Sequence, residues 1–253
     1  MMEHKKMTDQ QQEVIYGLHP VLEAVTAGKE IEKILMLKGM RHEKLAELMP
    51  LLKSRSIPYQ FVPHEKLNRV TRKNHQGIIA FVSPVTFHRI DQLLPAIYEA
   101  GRMPFVVVMD RITDVRNFGA VLRSAEGAGV DAVLIPARNT AQLNAGTVKS
   151  SAGAIFKVPL CRSENLKDTL DFLKESGLQI VAATEKTDTA YYNCDMKGPV
   201  AVILGSEDEG ISPEYLKKAD VMAAIPMQGE VGSLNVSVAA GIILFEVARQ
   251  RNL

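Results

Sequence analysis

The 253 residues contain no tryptophan and only 6% aromatic residues, so the core must be built from Ile, Leu, Val, Ala and Met. The two cysteines, Cys161 and Cys194, lie far apart and show no metal-ligand spacing. The start of the chain, 1–13, is polar and mixed in charge, and reads as a frayed tail without the apolar centre of an export signal. A reduced, cytoplasmic setting is therefore expected. No apolar run reaches the roughly 18 residues of a membrane helix, so no membrane partner is expected. Several catalytic signatures are also missing. Gly205 and Gly210 have the glycine spacing of a phosphate loop, but Ile211 stands where lysine is required. No G-x-G-x-x-G follows the apolar run 105–109, there is no G-x-S-x-G, and no His/Cys set has zinc spacing. Phosphoryl transfer, hydride transfer, nucleophile-elbow hydrolysis and a bound metal thus lack sequence support.

What is present is an ordinary globular composition, 46% hydrophobic and 23% charged, over a length that suits two domains. The net charge of +1 conceals an asymmetry. Residues 1–90 carry 14 Lys and Arg against 9 Asp and Glu, a balance of +5, and residues 91–253 carry 16 against 20, a balance of −4. A basic front half suits contact with an anion such as RNA, although random surface charge explains it as well.

Hydrophobic periodicity predicts helices over 19–25, 42–54 and 64–73 and strands over 33–37, 59–62 and 78–82, a small alternating α/β unit. A connector with one short helix, 91–100, follows. From 104 onward, continuous apolar strands are expected at 105–109, 131–135, 155–160, 178–183, 199–204 and 221–225. They alternate with helices over 117–128, 166–174 and 235–251. Fully apolar strands alternating with helices imply a mostly parallel sheet covered on both faces.

Three segments close predicted strands, where open α/β sheets bind ligands. The first runs Asp110-Arg111-Ile112-Thr113-Asp114-Val115-Arg116-Asn117-Phe118-Gly119 and on to Arg123. The second is Leu204-Gly205-Ser206-Glu207-Asp208-Glu209-Gly210-Ile211. The third runs from Ile225-Pro226-Met227 through Gly232-Ser233-Leu234-Asn235-Val236-Ser237-Val238. Taken singly, each polar residue has a plain structural explanation. Asn117 could cap the helix that carries Arg123, and Asn235 the last helix. Arg123 could be a surface arginine, Glu207 part of a solvated acidic turn, and Ser233-Leu234 a helix lead-in. Together, three glycine-bearing loops with Asn, Arg, Glu, Ser and Asn look like a built site.

In order and spacing these segments resemble the three motifs of the SpoU/TrmH branch of the SPOUT RNA methyltransferases, over about 104–253. The front unit, 14–83, resembles their L30e-like substrate-binding domain. Tyr16-Gly17-Leu18-His19-Pro20-Val21-Leu22-Glu23-Ala24 is similar to its opening and His75-Gln76-Gly77-Ile78-Ile79-Ala80 to its close. Residues 84–103 would then be a linker. The resemblance implies an α/β trefoil-knot methyltransferase domain and S-adenosylmethionine-dependent methylation of a ribose 2′-hydroxyl. It is closest to members that act on a guanosine of 23S rRNA, and implies an RNA partner, no DNA, and a homodimer through the methyltransferase domain. Val238, Ile242, Phe245 and Val247 of the last helix are interface candidates. By the same resemblance Arg123, Asn117, Glu207, Ser233 and Asn235 are catalytic. Thr184, Gly205, Ile225, Met227 and Leu234 hold the cofactor, mainly through backbone groups. A guanidinium is too costly to deprotonate for an easy base, so Arg123 is expected to grip a phosphate and stabilise the developing alkoxide. Lys66, Arg69, Arg72 and Lys73 are the candidate RNA contacts of the front unit. The first motif departs from the frequent Asp-Pro-His-Asn-Leu-Gly, reading Asp114-Val115-Arg116-Asn117-Phe118-Gly119, which adds a cation at Arg116. Two alternatives remain: a tRNA ribose methyltransferase, which generally lacks such a front unit, and a non-catalytic RNA-binding ribosome-assembly factor, which would carry a damaged catalytic set.

Overall fold

A computed structural model describes residues 13–230 and 232–252. The expected tail before Glu13, and Val231 of the third motif, lie outside the described residues. The chain divides into two compact units, one up to Thr86 with Leu143–Ala145, the other Phe87–Gln142 with Gly146–Leu253.

The first unit contains β1 (Val14–Tyr16), α1 (Leu18–Thr26), β2 (Ile31–Leu37), α2 (Glu43–Ser54), β3 (Tyr59–Val62), α3 (His64–Val70) and β4 (Ile78–Val82). Its sheet runs β1-β4-β2-β3; β2 and β3 are parallel, and β4 is antiparallel to both its neighbours. The period-two pattern of β2 and β4 separates two apolar layers. Ile34, Met36 and Ala80 pack with Val21 and Val25 of α1 and Leu48 and Leu52 of α2. Leu35 and Ile79 pack on the opposite face with Val62 and Leu67 of α3. The helix expected over 64–73 stops at Val70, because Thr71 is extended, so Arg72 and Lys73 sit in the following loop. Lys73 Nζ lies 5.6 Å from the centre of the Tyr16 ring.

The second unit contains β5 (Phe87–His88), α4 (Ile90–Glu99), β6 (Phe105–Met109), α5 (Val115–Gly127), β7 (Ala132–Pro136), α6 (Ala145–Ser150), β8 (Leu160–Ser163), α7 (Leu166–Glu175), β9 (Gln179–Ala183), β10 (Val200–Leu204), α8 (Pro213–Leu216), β11 (Val221–Ala223) and α9 (Val236–Arg251). All paired strands are parallel, in the order β11-β9-β10-β6-β7-β8-β5. Every residue of the central strands β6 and β10 is buried, as strands covered on both faces require. Leu94 of α4 and Leu166, Leu170 and Leu173 of α7 join one layer of that core, against Val106, Val108, Ala201 and Ile203. Helices α5 and α9 pack against each other and bury Phe118, Leu122, Ile243 and Leu244.

Three expectations change. Most of the stretch 84–103, read as a linker, is built into the second unit from Phe87 on: β5 pairs with β8, and α4 contributes Leu94 to the core. The strand expected at 155–160 begins only at Leu160. Gly153, in a left-handed conformation (φ +83°), turns the chain, and Ala154–Phe156 forms a short 3-10 turn. Val247 is fully buried in the core and leaves the list of interface candidates. No helix among the described residues is long and apolar enough to cross a membrane.

The C-terminal end of α9 is tied down by Arg251. Its guanidinium donates to the carbonyls of Met103 (3.0 Å), Pro104 (2.9 Å) and Gly198 (2.5 Å), joining the last helix to the segments that enter β6 and β10. Burial pushes its pKa down from the usual arginine range.

Candidate active site

Strands β6 and β10 are neighbours, yet the chain leaves them in opposite directions, β6 toward β7 and β10 toward β11. Such a switch point opens a crevice at the carboxyl ends of the strands. The first motif leaves β6 there, the second leaves β10, and the third leads into α9.

Helix α5 is capped by Asp114, whose carboxylate accepts from the backbone N–H of Arg116 (2.8 Å) and Asn117 (3.1 Å). The expectation that Asn117 caps this helix is therefore corrected. Both residue types cap well, but Asp114 has the extended backbone of a cap and Asn117 lies inside the first turn. The Arg116 guanidinium beside it and the Asn117 N–H hold the Asp114 carboxyl below the usual carboxylate range. The Asn117 side chain is thereby free for other bonds. Its Nδ2 donates to Glu207 Oε1, and its Oδ1 accepts from Asn235 Nδ2 at 3.1 Å. Asn235 Nδ2 also donates to Glu207 Oε1, at 2.7 Å. One residue from each motif thus closes a three-membered ring of hydrogen bonds, spanning 118 positions of sequence. Asn235 does cap α9: its Oδ1 accepts from Ser237 N at 2.9 Å and from Ser237 Oγ at 2.6 Å.

Two glycines make the geometry possible. A Cβ on Gly119 would stand 1.9 Å from Ser150 Oγ and 2.8 Å from the Ser150 backbone carbon, so only glycine lets α5 lie on α6. Ser150 Oγ donates to the Val115 carbonyl at 2.9 Å and so fixes the turn that carries Asn117. A Cβ on Gly205 would lie 2.2 Å from the Gly210 carbon, so the second-motif loop can close on itself only with glycine at that position.

Beside the ring is a cavity of about 340 Å³. Thr184, Gly205, Ile225, Met227 and Leu234, the expected cofactor positions, all line it, as do Glu207 and Ser233. Leu204, Val236 and Ala239 add apolar wall, and Glu185, Lys186 and Asp208 add charge. Thr184 is held by its N–H to the Ala223 carbonyl at 3.1 Å. Arg123 stands apart. It is exposed on α5, does not line the cavity, and its side chain makes no hydrogen bond or ion pair with a described residue. It lies six positions after Asn117, about 9 Å along a helix and roughly 120° around it. Among the described residues no three His, Cys, Asp or Glu side chains gather as a metal site. Both cysteines are buried free thiols, and burial pushes Cys161 up to about 12.

Sequence reading passed over Asp114 as the cap and the Gly119–Ser150 contact. The cap had a signal, an Asp just before the apolar-periodic run of the helix. The helix contact had none, because it depends on packing across α5 and α6.

Comparison with known proteins shows the family of both units. Residues 104–245 match the model of the SpoU rRNA Methylase family, and residues 14–88 match that of RNA 2′-O ribose methyltransferase substrate binding. A protein of Staphylococcus aureus (strain MSSA476) named for the TrmH family of tRNA/rRNA methyltransferases is 37% identical over 239 residues, covering 94% of this chain and 96% of its own length. The AdoMet-bound rRNA methyltransferase of Sinorhizobium meliloti superposes with a TM-score of 0.60 at 25% identity, covering 93% of this chain and 86% of that one. A TrmH/SpoU tRNA-modifying enzyme of A. aeolicus does so with a TM-score of 0.53 at 30% identity, covering 64% of this chain and 84% of that one.

Proposed function

The chain belongs to the SpoU rRNA methylase family and is an S-adenosylmethionine-dependent RNA 2′-O-methyltransferase, and on that premise we propose that it methylates a guanosine ribose of 23S rRNA. The closed ring of Asn117, Glu207 and Asn235 beside the cavity is the observation that supports the catalytic part of this reading. The ribosomal target is supported by the front unit. The S. meliloti rRNA methyltransferase matches nearly the whole chain, whereas the tRNA-modifying neighbour matches about the length of the second unit.

The cavity suits the cofactor. Its volume lies within the usual range for small-molecule sites. Ile225, Met227 and Leu234 offer apolar wall with backbone groups at their ends, and Glu207 and Asp208 offer negative charge toward a sulfonium. Thr184, Gly205, Ile225, Met227 and Leu234 would hold it. When bound, S-adenosylmethionine supplies an electrophilic methyl group. Glu207 Oε1 is occupied by two amide donors, which leaves Oε2 to accept a ribose hydroxyl and hold the sugar. Ser233, at the cavity wall, can hold the ribose from the other side. Alignment of this kind supplies roughly 7–11 kcal/mol of rate acceleration in well-oriented reactions. Arg123 grips the neighbouring phosphate and stabilises the developing alkoxide.

Arg123 enters the reaction through a homodimer. Val238 and Phe245 are each 51% exposed on α9 and share one face with the half-buried Ile242, an apolar stripe beside α5. Pairing through that stripe carries the exposed Arg123 to the interface and toward the second copy's ring. The front unit, 14–83, grips RNA through Lys66, Arg69, Arg72 and Lys73. The trefoil threading is part of the same reading and is supported by the family likeness of residues 104–245.

The test offers labelled S-adenosylmethionine with unmodified 23S rRNA, small-subunit rRNA or tRNA, and an Arg123→Ala control. Label in 23S rRNA that disappears in the control supports the assignment. Label in tRNA alone overturns the ribosomal target while keeping the chemistry.

A further inference from the structure

Arg111, at the end of β6, is one of five non-glycine residues with positive φ among the described residues, at +57°. Glycine would adopt this conformation at no steric cost, so an arginine here is held for its side chain. That side chain makes three bonds. Nε donates to Asp110 Oδ1 at 3.1 Å, one terminal nitrogen donates to the Glu209 carboxylate, and the other donates to the Gly210 carbonyl at 3.2 Å. Asp110 is itself 2% exposed, and its Oδ2 accepts from Ser212 N and Ser212 Oγ, both at 2.7 Å. The Asp110-Arg111 pair therefore grips the loop after β10 at three successive stations, Glu209, Gly210 and Ser212.

The same loop builds the site. Gly205, Ser206 and Glu207 line the cavity, and Glu207 closes the ring with Asn117 and Asn235. Besides Arg111, its restraints are the narrow bridge between Ser206 and Gly210 and the Ser206 hydroxyl, which accepts from Glu209 N at 3.3 Å and donates to the Gly210 carbonyl at 3.4 Å. Three consecutive carboxylates, Glu207, Asp208 and Glu209, repel one another within it, and Arg111 neutralises the last. Arg111 does not line the cavity, so any effect on chemistry passes through the loop.

We propose that Arg111 is a positioning residue for methyl transfer: it locks the 205–212 loop so that the cofactor wall is closed and Glu207 meets Asn117 and Asn235. This rests on the methyltransferase reading. A wild-type chain inert on every RNA contradicts that reading alone, and cofactor affinities still decide the clamp. The experiment compares the full-length wild type with Arg111→Gly, which suits the positive φ, and Arg111→Lys, which keeps the charge without the fork. Calorimetric Kd for S-adenosylmethionine, kcat at saturating cofactor, KM for RNA, and Tm are measured. For Arg111→Gly we expect a cofactor Kd about tenfold weaker and kcat about tenfold lower, as loss of a charge-assisted hydrogen bond implies. RNA KM and Tm should stay near wild type, and Arg111→Lys should recover part of the loss. Kd and kcat within twofold of wild type overturn the proposal, as do losses that merely follow a fall in Tm.

Discussion

Asn235 does two jobs with opposite ends of one amide, and a single substitution separates them. Its Oδ1 caps α9 through Ser237, and its Nδ2 donates to Glu207 and Asn117. Asn235→Asp keeps the oxygen and so keeps the cap. A carboxylate at a helix N-terminus adds about 0.3–1 kcal/mol of stability. The same change removes both donors. A hydrogen bond to a charged group contributes about 1.5–3 kcal/mol and a neutral one about 0.5–1.5 kcal/mol. The new carboxylate also faces Glu207, with a repulsion of about 1 kcal/mol for exposed charges at such a distance. The site is open to solvent, which discounts the sum to about 2 kcal/mol in the transition state, roughly thirtyfold in kcat. Asn235→Ala loses the cap as well, at about 1 kcal/mol, or about 3 °C in Tm for a chain of this size. Methyl-transfer kinetics and thermal melts on both variants test this. Asn235→Asp should melt above Asn235→Ala and turn over about thirtyfold more slowly than the wild type. Activity within threefold of wild type, or melting as low as Asn235→Ala, would refute the division of labour.

Gly119→Ala should destabilise the chain by about 3 kcal/mol, since the new methyl meets the Ser150 backbone as well as its side chain; chemical denaturation reads this, and Ser150→Gly should not restore stability. Arg251→Met removes three hydrogen bonds that tie the end of α9 to the segments entering β6 and β10, and should lower stability by about 2 kcal/mol, or about 6 °C in Tm, with no change in cofactor Kd. Neutralising Lys66, Arg69, Arg72 and Lys73 together should flatten the slope of log affinity for RNA against log salt by about 3. An unchanged slope removes that surface from the RNA contact. Arg123→Lys should lose rate, because an ammonium cannot make the two-pronged phosphate contact; full activity refutes the bidentate grip.

The central strands were legible in sequence because burial on both faces leaves an unbroken apolar run, as in Phe105–Met109 and Val200–Leu204. Long helices were legible from their periodicity. Three short elements were not: β1, β5 and α6 carry too little repeating pattern, and they exist because of what they pack against. Ala154-Ile155-Phe156 has the composition of a strand, but the left-handed Gly153 before it turns the chain. At the site, residue types and motif order marked Asn117, Glu207 and Asn235, while their ring depends on strand order, which local pattern does not encode. Asp114 and Asn117 compete for the same cap three positions apart, and only backbone conformation decides between them. Arg111 was hidden because a basic residue after a strand looks like surface until its partners 98 and 99 residues away are known.

The most direct measurement is nucleoside mass spectrometry of unmodified 23S rRNA after incubation with the protein and S-adenosylmethionine, with the alkaline-cleavage ladder of the same RNA. A ribose methyl blocks cleavage at its own linkage, so 2′-O-methylguanosine should appear together with a single gap in the ladder, and both should form about thirtyfold more slowly with Asn235→Asp. A methyl group found on a base, with an uninterrupted ladder, contradicts ribose chemistry at the ring of Asn117, Glu207 and Asn235.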